Sequence, residues 1–527
     1  MNQLFASNPI NAKRMLKNTG MLYIRHLFIL FLNLFTVRLV LRALGTQDFG
    51  IYNVIAGIVL MCSFFCGTMA TSSQRYFSID LGRQDYAHLK QTFVLTLFIY
   101  VLLAVLFVGL AESVGLWFVN TKLTIPPDRI IATNWIYQTS IFAFIFTLMA
   151  TPFLALVISH EDMQIYAYIS VLEAILKLVI VFFLRIYSDK LISYGILMAG
   201  IALVNLSLYV GYCRRYYRET KLYWQWNWGL FKEILSFSGW NLFGTVSTLI
   251  KNQGSNILLN IFYGPLLNAA QSLASQVRAA VSMFAANFSQ AMRPQISKSY
   301  AIAKYKDMFR LVFLGSKIVY FLMLVMIVPL FYNVDYVLHL WLTDVPPYTV
   351  AFVRLLMLEA LIESISQPMA SVNQATGKIA LYQGLIGTVV MLNLPVTYWI
   401  LKWNYPVTYI YIAGCIFMGG VDLIRLIFLQ RVQEFSYKTF VKQVLWPILC
   451  VTVPSFVISK MLLISHQTIP SLGVDLAIKA GISVLLVWLL GLNYSERHKA
   501  IALLKNYGKE YINAFKKFAN RTKRTHC

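Results

Sequence analysis

An all-α polytopic membrane protein with about fourteen transmembrane helices is predicted by composition, segmentation and charge placement. Of the 527 residues, 58% are hydrophobic and 13% charged, with a mean hydropathy of +0.65. A soluble domain is about 25% charged, so this chain has too little polar surface to cover a core that apolar. Its hydrophobicity equally excludes disorder. A span needs roughly 20 apolar residues. Suitable windows lie near 19–42, 49–72, 91–118, 131–158, 163–185, 191–213, 236–262, 266–292, 309–331, 346–373, 378–401, 405–430, 439–462 and 473–492. The seventh, eighth and tenth carry the most polar residues. The first apolar run, about Met21 to Leu41, is too long for a signal-peptide core and lacks an A-x-A-like site.

Lys and Arg orient the spans. Every second connection is basic: Lys13, Arg14 and Lys17; Arg75, Arg83 and Lys90; Arg214, Arg215, Arg218, Lys221 and Lys232; Arg293, Lys298, Lys304, Lys306 and Arg310; Lys378; Arg431, Lys438 and Lys442; then the tail. The other side holds only Arg42, Lys122, Arg129, Arg185, Lys190, Lys402 and Lys460. Both termini are therefore expected in the cytoplasm. The net charge of +24 reads as a topology signal and a grip on anionic lipid, which removes the case for nucleic acid. Residues 493–527 place Ile501, Leu504, Tyr507, Tyr511, Ile512, Phe515 and Phe518 at helical spacing among lysines. That pattern predicts an amphipathic helix on the cytoplasmic leaflet, or a docking site for a cytoplasmic partner. Cys62, Cys66, Cys213, Cys415, Cys450 and Cys527 show no metal-type spacing. They read as membrane thiols.

The chain repeats itself. At one constant offset Gly20 falls on Gly239 and Gly45 on Gly264. At a slightly shorter one Pro152 falls on Pro368 and Tyr166 on Tyr382. These matches divide the chain into an N-terminal six-helix lobe (1–213), a cytoplasmic linker (214–235), a C-terminal six-helix lobe (236–430), two added helices (431–492) and the basic tail (493–527). Six helices per unit start both units on the same side. The symmetry axis then runs along the membrane normal, as in transporters whose halves rock about a site at their interface.

The segments LRALGTQDFGIYNVIAGI at 41–58 and NIFYGPLLNAAQSLASQV at 260–277 resemble the multidrug, oligosaccharidyl-lipid and polysaccharide flippase superfamily. So do the basic loops SSQRYFSIDLGRQD and RPQISKSYAIAKYKD. Within it, the chain looks like the polysaccharide (O-antigen type) flippases of bacteria. The resemblance implies a MATE-like fold and alternating access. It implies transport of a polyprenyl-diphosphate-linked oligosaccharide across the bacterial inner membrane for surface polysaccharide assembly, with no enzymatic step and no cofactor. Implied partners are the lipid-linked substrate, membrane lipids and a polysaccharide polymerase or glycosyltransferases.

A charge at bilayer depth costs roughly 2.5–3.5 kcal/mol on insertion scales unless paired or facing water. Lys251 sits mid-helix in the run IKNQGSN with Asn252, Gln253, Gly254, Ser255 and Asn256. Such a run faces protein or water. Arg278 lies in the eighth helix with Gln271 and Gln276 nearby, and Arg25 lies in the first. In the family fold these helices line the inter-lobe cavity. Arg25, Lys251 and Arg278, with Asn252, Asn256 and Gln271, are therefore the expected diphosphate contacts, because phosphates take compact charge and bidentate Arg forks. The competing reading pairs each cation with a buried carboxylate and makes it a helix lock. Glu359 and Glu363 share one face of the tenth helix at i, i+4 and, with Asp422, form a candidate ion-coupling set. Alternatively, the two glutamates neutralise Lys251, Arg278 or Arg354. Glu173 with Lys177, and Asp422 with Arg425, read as local ion pairs. Arg38 and Arg42 lie close enough to the outer interface to snorkel. Pro152, Gly254 and Pro368 are candidate hinges, or static kinks.

No G-x-x-x-x-G-K-[ST], H-E-x-x-H or G-x-S-x-G occurs. A drug or cation exporter of the same superfamily would want an acidic cavity. A polysaccharide polymerase or ligase would want a large outward catalytic loop, and the longest here spans only about Trp117 to Ile130.

Overall fold

The computed structural model describes residues 9–60, 62–122, 126–221, 226–342, 345–462 and 469–498. The predicted tail helix lies almost wholly outside these residues. Helices account for nearly all of them. The N-terminal lobe contains α1 (Pro9–Leu44), α2 (Thr46–Leu60), α3 (Ser63–Arg83), α4 (Tyr86–Leu110), α5 (Leu116–Lys122), α6 (Ile130–Ser159), α7 (Met163–Phe183) and α8 (Lys190–Tyr216). The C-terminal lobe contains α9 (Trp228–Tyr263), α10 (Pro265–Ala301), α11 (Tyr305–Trp341), α12 (Thr349–Ala375), α13 (Ala380–Lys402) and α14 (Thr408–Leu429). Then come α15 (Tyr437–Phe440), α16 (Trp446–Met461) and α17 (Ile469–Leu486). Every predicted window is largely helical. Ten helical stretches are long and apolar enough to cross a membrane among the described residues. The second, seventh, eighth and tenth windows fall outside that set.

The largest differences between helix ends and apolar windows are extensions. The helix expected to end near 72 continues to Arg83, after a break at residues 61–62; α9 starts at Trp228 and α10 runs on to Ala301. Hydropathy marks only the part of a helix that contacts lipid. Backbone hydrogen bonding propagates beyond it, one bond per residue fixed. Because α9 starts early, the irregular link after α8 is shorter than the expected 214–235.

Packing repeats between the lobes. The pairs α1·α7, α3·α4, α3·α6, α4·α6, α6·α8 and α7·α8 recur as α9·α13, α10·α11, α10·α12, α11·α12, α12·α14 and α13·α14. The backbone repeats too. Gly45 (φ +82°) and Gly264 (φ +74°) end equivalent helices in the left-handed region. Gln84 and Ala303, one residue before the helix N-caps Asp85 and Lys304, are also left-handed. So are Glu161 and Gly377, just beyond α6 and α12. Pro152 and Pro368 lie inside those two helices without ending them.

In lipid the hydrophobic effect does not drive helices together, so close approach and polar contacts matter more. Small residues provide the approach. A Cβ on Gly254 would lie 2.7 Å from Leu394 of α13, and one on Gly387 would lie 2.6 Å from Phe243 of α9. Outward faces carry apolar side chains such as Ile131, Ile186, Ile416 and Met461, all more than 70% exposed. Buried ion pairs hold α17 and its extension to the C-terminal lobe. Lys317 of α11 meets Glu496 at 2.6 Å. Lys479 meets Asp475 at 2.6 Å, and Asn333 of α11 donates to the same carboxylate.

The lobes meet at the end that carries Arg75, Arg83 and Lys298. There α3 and α10 approach so closely that a Cβ on Gly82 would sit 2.8 Å from the Lys298 Cα. Two matching clasps flank the contact. Lys298 reaches Glu161 at 2.7 Å, and Arg75 donates to the Ala375 carbonyl at 3.2 Å. Along α3 and α9, the Thr68 hydroxyl donates to Thr245, Asn241 to Ser72, and Tyr76 to Glu233. The residues flanking Glu161 hold the inter-lobe link. His160 stacks on Tyr217 and bonds Glu219 at 2.5 Å, while the Tyr217 hydroxyl donates to Asp162. Burial pushes the Glu219 carboxyl up, yet its bonds to His160 and its own backbone hold it below the usual carboxylate range.

Gly45→Val and Gly264→Val are expected to lower the melting temperature by several degrees each, since an L side chain there costs roughly 1–2 kcal/mol. Gly20→Ala, in open space inside a helix, leaves it unchanged or raised. Scanning fluorimetry of the purified variants checks this. Because the Glu219 value is depressed on folding, its contribution is present above the unfolded value and lost as pH falls through the folded one. Glu219→Gln is expected to destabilise the protein at neutral pH, with the difference shrinking as pH falls below the usual carboxylate range.

Candidate polar site of the C-terminal lobe

Lys251, on α9, extends its Nζ to Glu359 Oε1 of α12 at 2.7 Å. From α10, Arg278 places Nη1 3.3 Å from the other oxygen of Glu359 and Nη2 3.0 Å from Glu363 Oε2. The i, i+4 spacing on α12 sets the two carboxylates one above the other, so one guanidinium spans both. Glu359 is 2% exposed, and Glu363 is more open, at 30% for its side chain. Gly414 of α14 admits the Glu359 carboxylate, since a Cβ there would lie 3.3 Å from Oε2.

Two cations and two carboxylates make the cluster neutral when fully ionised, so both cations predicted to meet the diphosphate are already paired. Buried pairs of this kind need good geometry and further hydrogen bonds to offset desolvation. Here one carboxylate serves two cations from two helices. A second polar group lies further along α12. Ser366 donates to Asp422 of α14 and accepts from Arg425. Asp422 and Arg425 lie 3.8 Å apart, and Asn373 donates to the Arg425 carbonyl.

The remaining predicted residues scatter. Gln271 is buried and accepts from the Tyr411 hydroxyl, whereas Asn252 is exposed and Asn256 half-buried. Gly254 packs on α13 within an unbroken helix. Arg25 is not part of the cluster. It lies over the Tyr166 ring at 4.3 Å and donates to Ser170 at 3.4 Å, both on α7 of its own lobe. It has no carboxylate within ion-pair distance among the described residues. The Glu173–Lys177 pair forms at 2.6 Å, and Asn205 donates to Glu173 as well.

Repeat alignment shows how one-sided this chemistry is. Lys251, Arg278, Glu359 and Glu363 correspond to Leu32, Val59, Ala143 and Thr147 in the N-terminal lobe. Sequence reasoning missed the buried Lys317, Asp475 and Lys479, although each stands inside a predicted span. It also missed Glu161 and Lys298, whose contact joins residues far apart in the chain and leaves no periodic signal.

The model of a polysaccharide biosynthesis protein family matches residues 15–300, more than half of the chain. The chain belongs to that family. No curated protein matches it. Solved structures show the fold. A structure described as the outward-facing conformation of a multidrug resistance MATE family transporter of the MOP superfamily aligns with a TM-score of 0.70 at 11% identity. That alignment covers 80% of this chain and 96% of the other. A MATE in the bent conformation aligns at 0.68 and 12% identity, covering 80% and 95%. A MOP superfamily transporter from Pyrococcus furiosus aligns at 0.69 and 11% identity, covering 81% and 96%. Its binding pocket is described as of reverse polarity, suggesting a different function. Family and fold together make this chain a multi-pass membrane protein of the polysaccharide biosynthesis family with a MATE-like fold.

Glu359→Gln leaves two buried cations sharing one remaining carboxylate. Removing one member of a buried ion cluster costs roughly 3–5 kcal/mol. The variant is therefore expected to melt well below wild type in thermal unfolding. Glu359→Leu combined with Lys251→Met recovers part of the loss.

Proposed function

We propose that the protein carries a polyprenyl-diphosphate-linked oligosaccharide across the bacterial inner membrane by alternating access, with its basic end in the cytoplasm. The supporting observation is a two-lobe MATE-like bundle in a polysaccharide biosynthesis family. Such a bundle exposes a site to one side at a time, and the pathway's hydrophilic cargo is attached to lipid. The sugar diphosphate enters between the lobes while the polyprenyl tail stays in lipid. A polysaccharide polymerase or glycosyltransferases act on either side of this step.

Arg25 offers the headgroup a cation that carries no carboxylate. Lys251 and Arg278 serve it by exchange. A diphosphate, or a proton on the more open Glu363, takes the place of a carboxylate partner and frees one edge of the Arg278 guanidinium. Glu359 stays in place as the fixed anion. Glu363 and Asp422 are the coupling candidates, because each is a carboxylate whose charge is balanced by a nearby Arg.

Depleting the protein in its host is expected to accumulate complete lipid-linked repeat units, read by mass spectrometry of polyprenyl-diphosphate glycans. Arg25→Gln and Arg278→Lys are expected to reproduce the accumulation at normal protein levels. If no lipid-linked glycan changes on depletion, the reading fails and an exporter of the same superfamily replaces it.

A further inference from the structure

At the closed end of the bundle, α3, α10 and α12 line a narrow gap of about 10 Å³, bordered by Thr71, Gln74, Arg75, Arg293, Ser297, Ser371 and Gln374. Two arginines from opposite lobes share it. Gln74 and Arg293 are counterparts in the repeat, so the cavity lies where the two halves face each other. Arg75 is 9% exposed. It is held between the Tyr76 and Phe237 rings at 4.6 and 4.7 Å, with one nitrogen on the Ala375 carbonyl. Arg293 donates to the Thr71 hydroxyl at 3.4 Å. Neither has a carboxylate within ion-pair distance among the described residues. Glu233 lies behind Tyr76, whose hydroxyl bonds it.

The unsatisfied groups here are all of one kind. Arg75 Nε and Nη1 and Gln74 Nε2 are buried without a hydrogen-bond partner, and all three are donors. Ser297 and Ser371, both buried, add hydroxyls. Buried donors with buried positive charge call for an acceptor that carries negative charge. Two like charges from two lobes also oppose the closure that brings them together, unless an anion lies between them.

We propose that this cavity is an oxyanion site that takes a phosphate or diphosphate group across the inter-lobe seam through Arg75 and Arg293. The gap is narrow, so a phosphoryl group seats there as the long Arg and Gln side chains give way. As the lobes part at this end, both guanidiniums line the entrance. The site is then the first point at which a sugar diphosphate meets the transporter. It differs from the Lys251–Arg278 cluster, whose cations are already neutralised. The proposal rests on the flippase reading for the source of the diphosphate, and on the geometry alone for the anion.

The test uses the purified full chain in nanodiscs, with sodium diphosphate or sodium phosphate against sodium chloride of equal ionic strength. A melting shift of several degrees is expected, together with slower hydrogen exchange over residues 71–75 and 293–297. Arg75→Gln and Arg293→Gln are expected to weaken diphosphate binding at least tenfold. Arg75→Lys keeps the charge without the fork and weakens it less, which separates lost recognition from lost folding. Arg214→Gln, at the same end but outside the cavity, leaves the shift unchanged. Protection by inorganic diphosphate marks a general oxyanion site. Protection only by polyprenyl diphosphate embedded in the nanodisc assigns the anion to a lipid-linked headgroup. No protection by either, or protection that survives both Gln variants, overturns the site. Host glycolipid accumulation is read separately, so loss of the site and loss of the flippase reading give different results.

Discussion

A carboxylate buried at bilayer depth must have a partner, and Glu359 is where this constraint organises the C-terminal lobe. Its two oxygens hold Lys251 of α9 and Arg278 of α10, while Gly414 of α14 leaves room for the group. Four helices are therefore tied through one side chain on α12. Glu363 completes the cluster on the same helix face, and it is the more open of the two acids. The arrangement is rigid at one end and open to exchange at the other.

The second organising feature is the repeat. Left-handed residues recur at the same joints of both lobes, at Gly45 and Gly264 and again at Glu161 and Gly377. The inter-lobe clasps use those joints. Lys298 of α10 reaches Glu161 beyond α6, and Arg75 of α3 reaches the last residue of α12, beside Gly377. The seam is thus held by two related contacts, one an ion pair and one a hydrogen bond to backbone. His160 and Asp162, on either side of Glu161, grip the link between the lobes. This short segment thus contacts both the link and the clasp.

Chemistry is distributed unevenly over this symmetric frame. Positions that hold Lys251, Arg278, Glu359 and Glu363 in one lobe hold Leu32, Val59, Ala143 and Thr147 in the other. Among the described residues, Arg25 in the N-terminal lobe and Arg75 and Arg293 on the seam have no carboxylate within ion-pair distance. The balanced charges thus lie in one lobe only.

The sequence by itself determined the membrane class, the helical windows and the two-lobe repeat. These follow from local properties: an apolar run must satisfy its own backbone hydrogen bonds, and a helix before Gly45 or Gly264 ends at the glycine that adopts a left-handed turn. It also marked Lys251, Arg278, Glu359 and Glu363 as charges too costly to face lipid. Which charge meets which was decided only in three dimensions. Lys251 and Glu359 are over a hundred residues apart, and in sequence Arg278 stays open between a ligand contact and a partner of the glutamates until α12 is packed against α10. The seam cavity was illegible for the same reason. Arg75 and Arg293 stand in loops-to-be that look merely basic, and only the closure of α3 on α10 brings the two together with no carboxylate within ion-pair distance among the described residues.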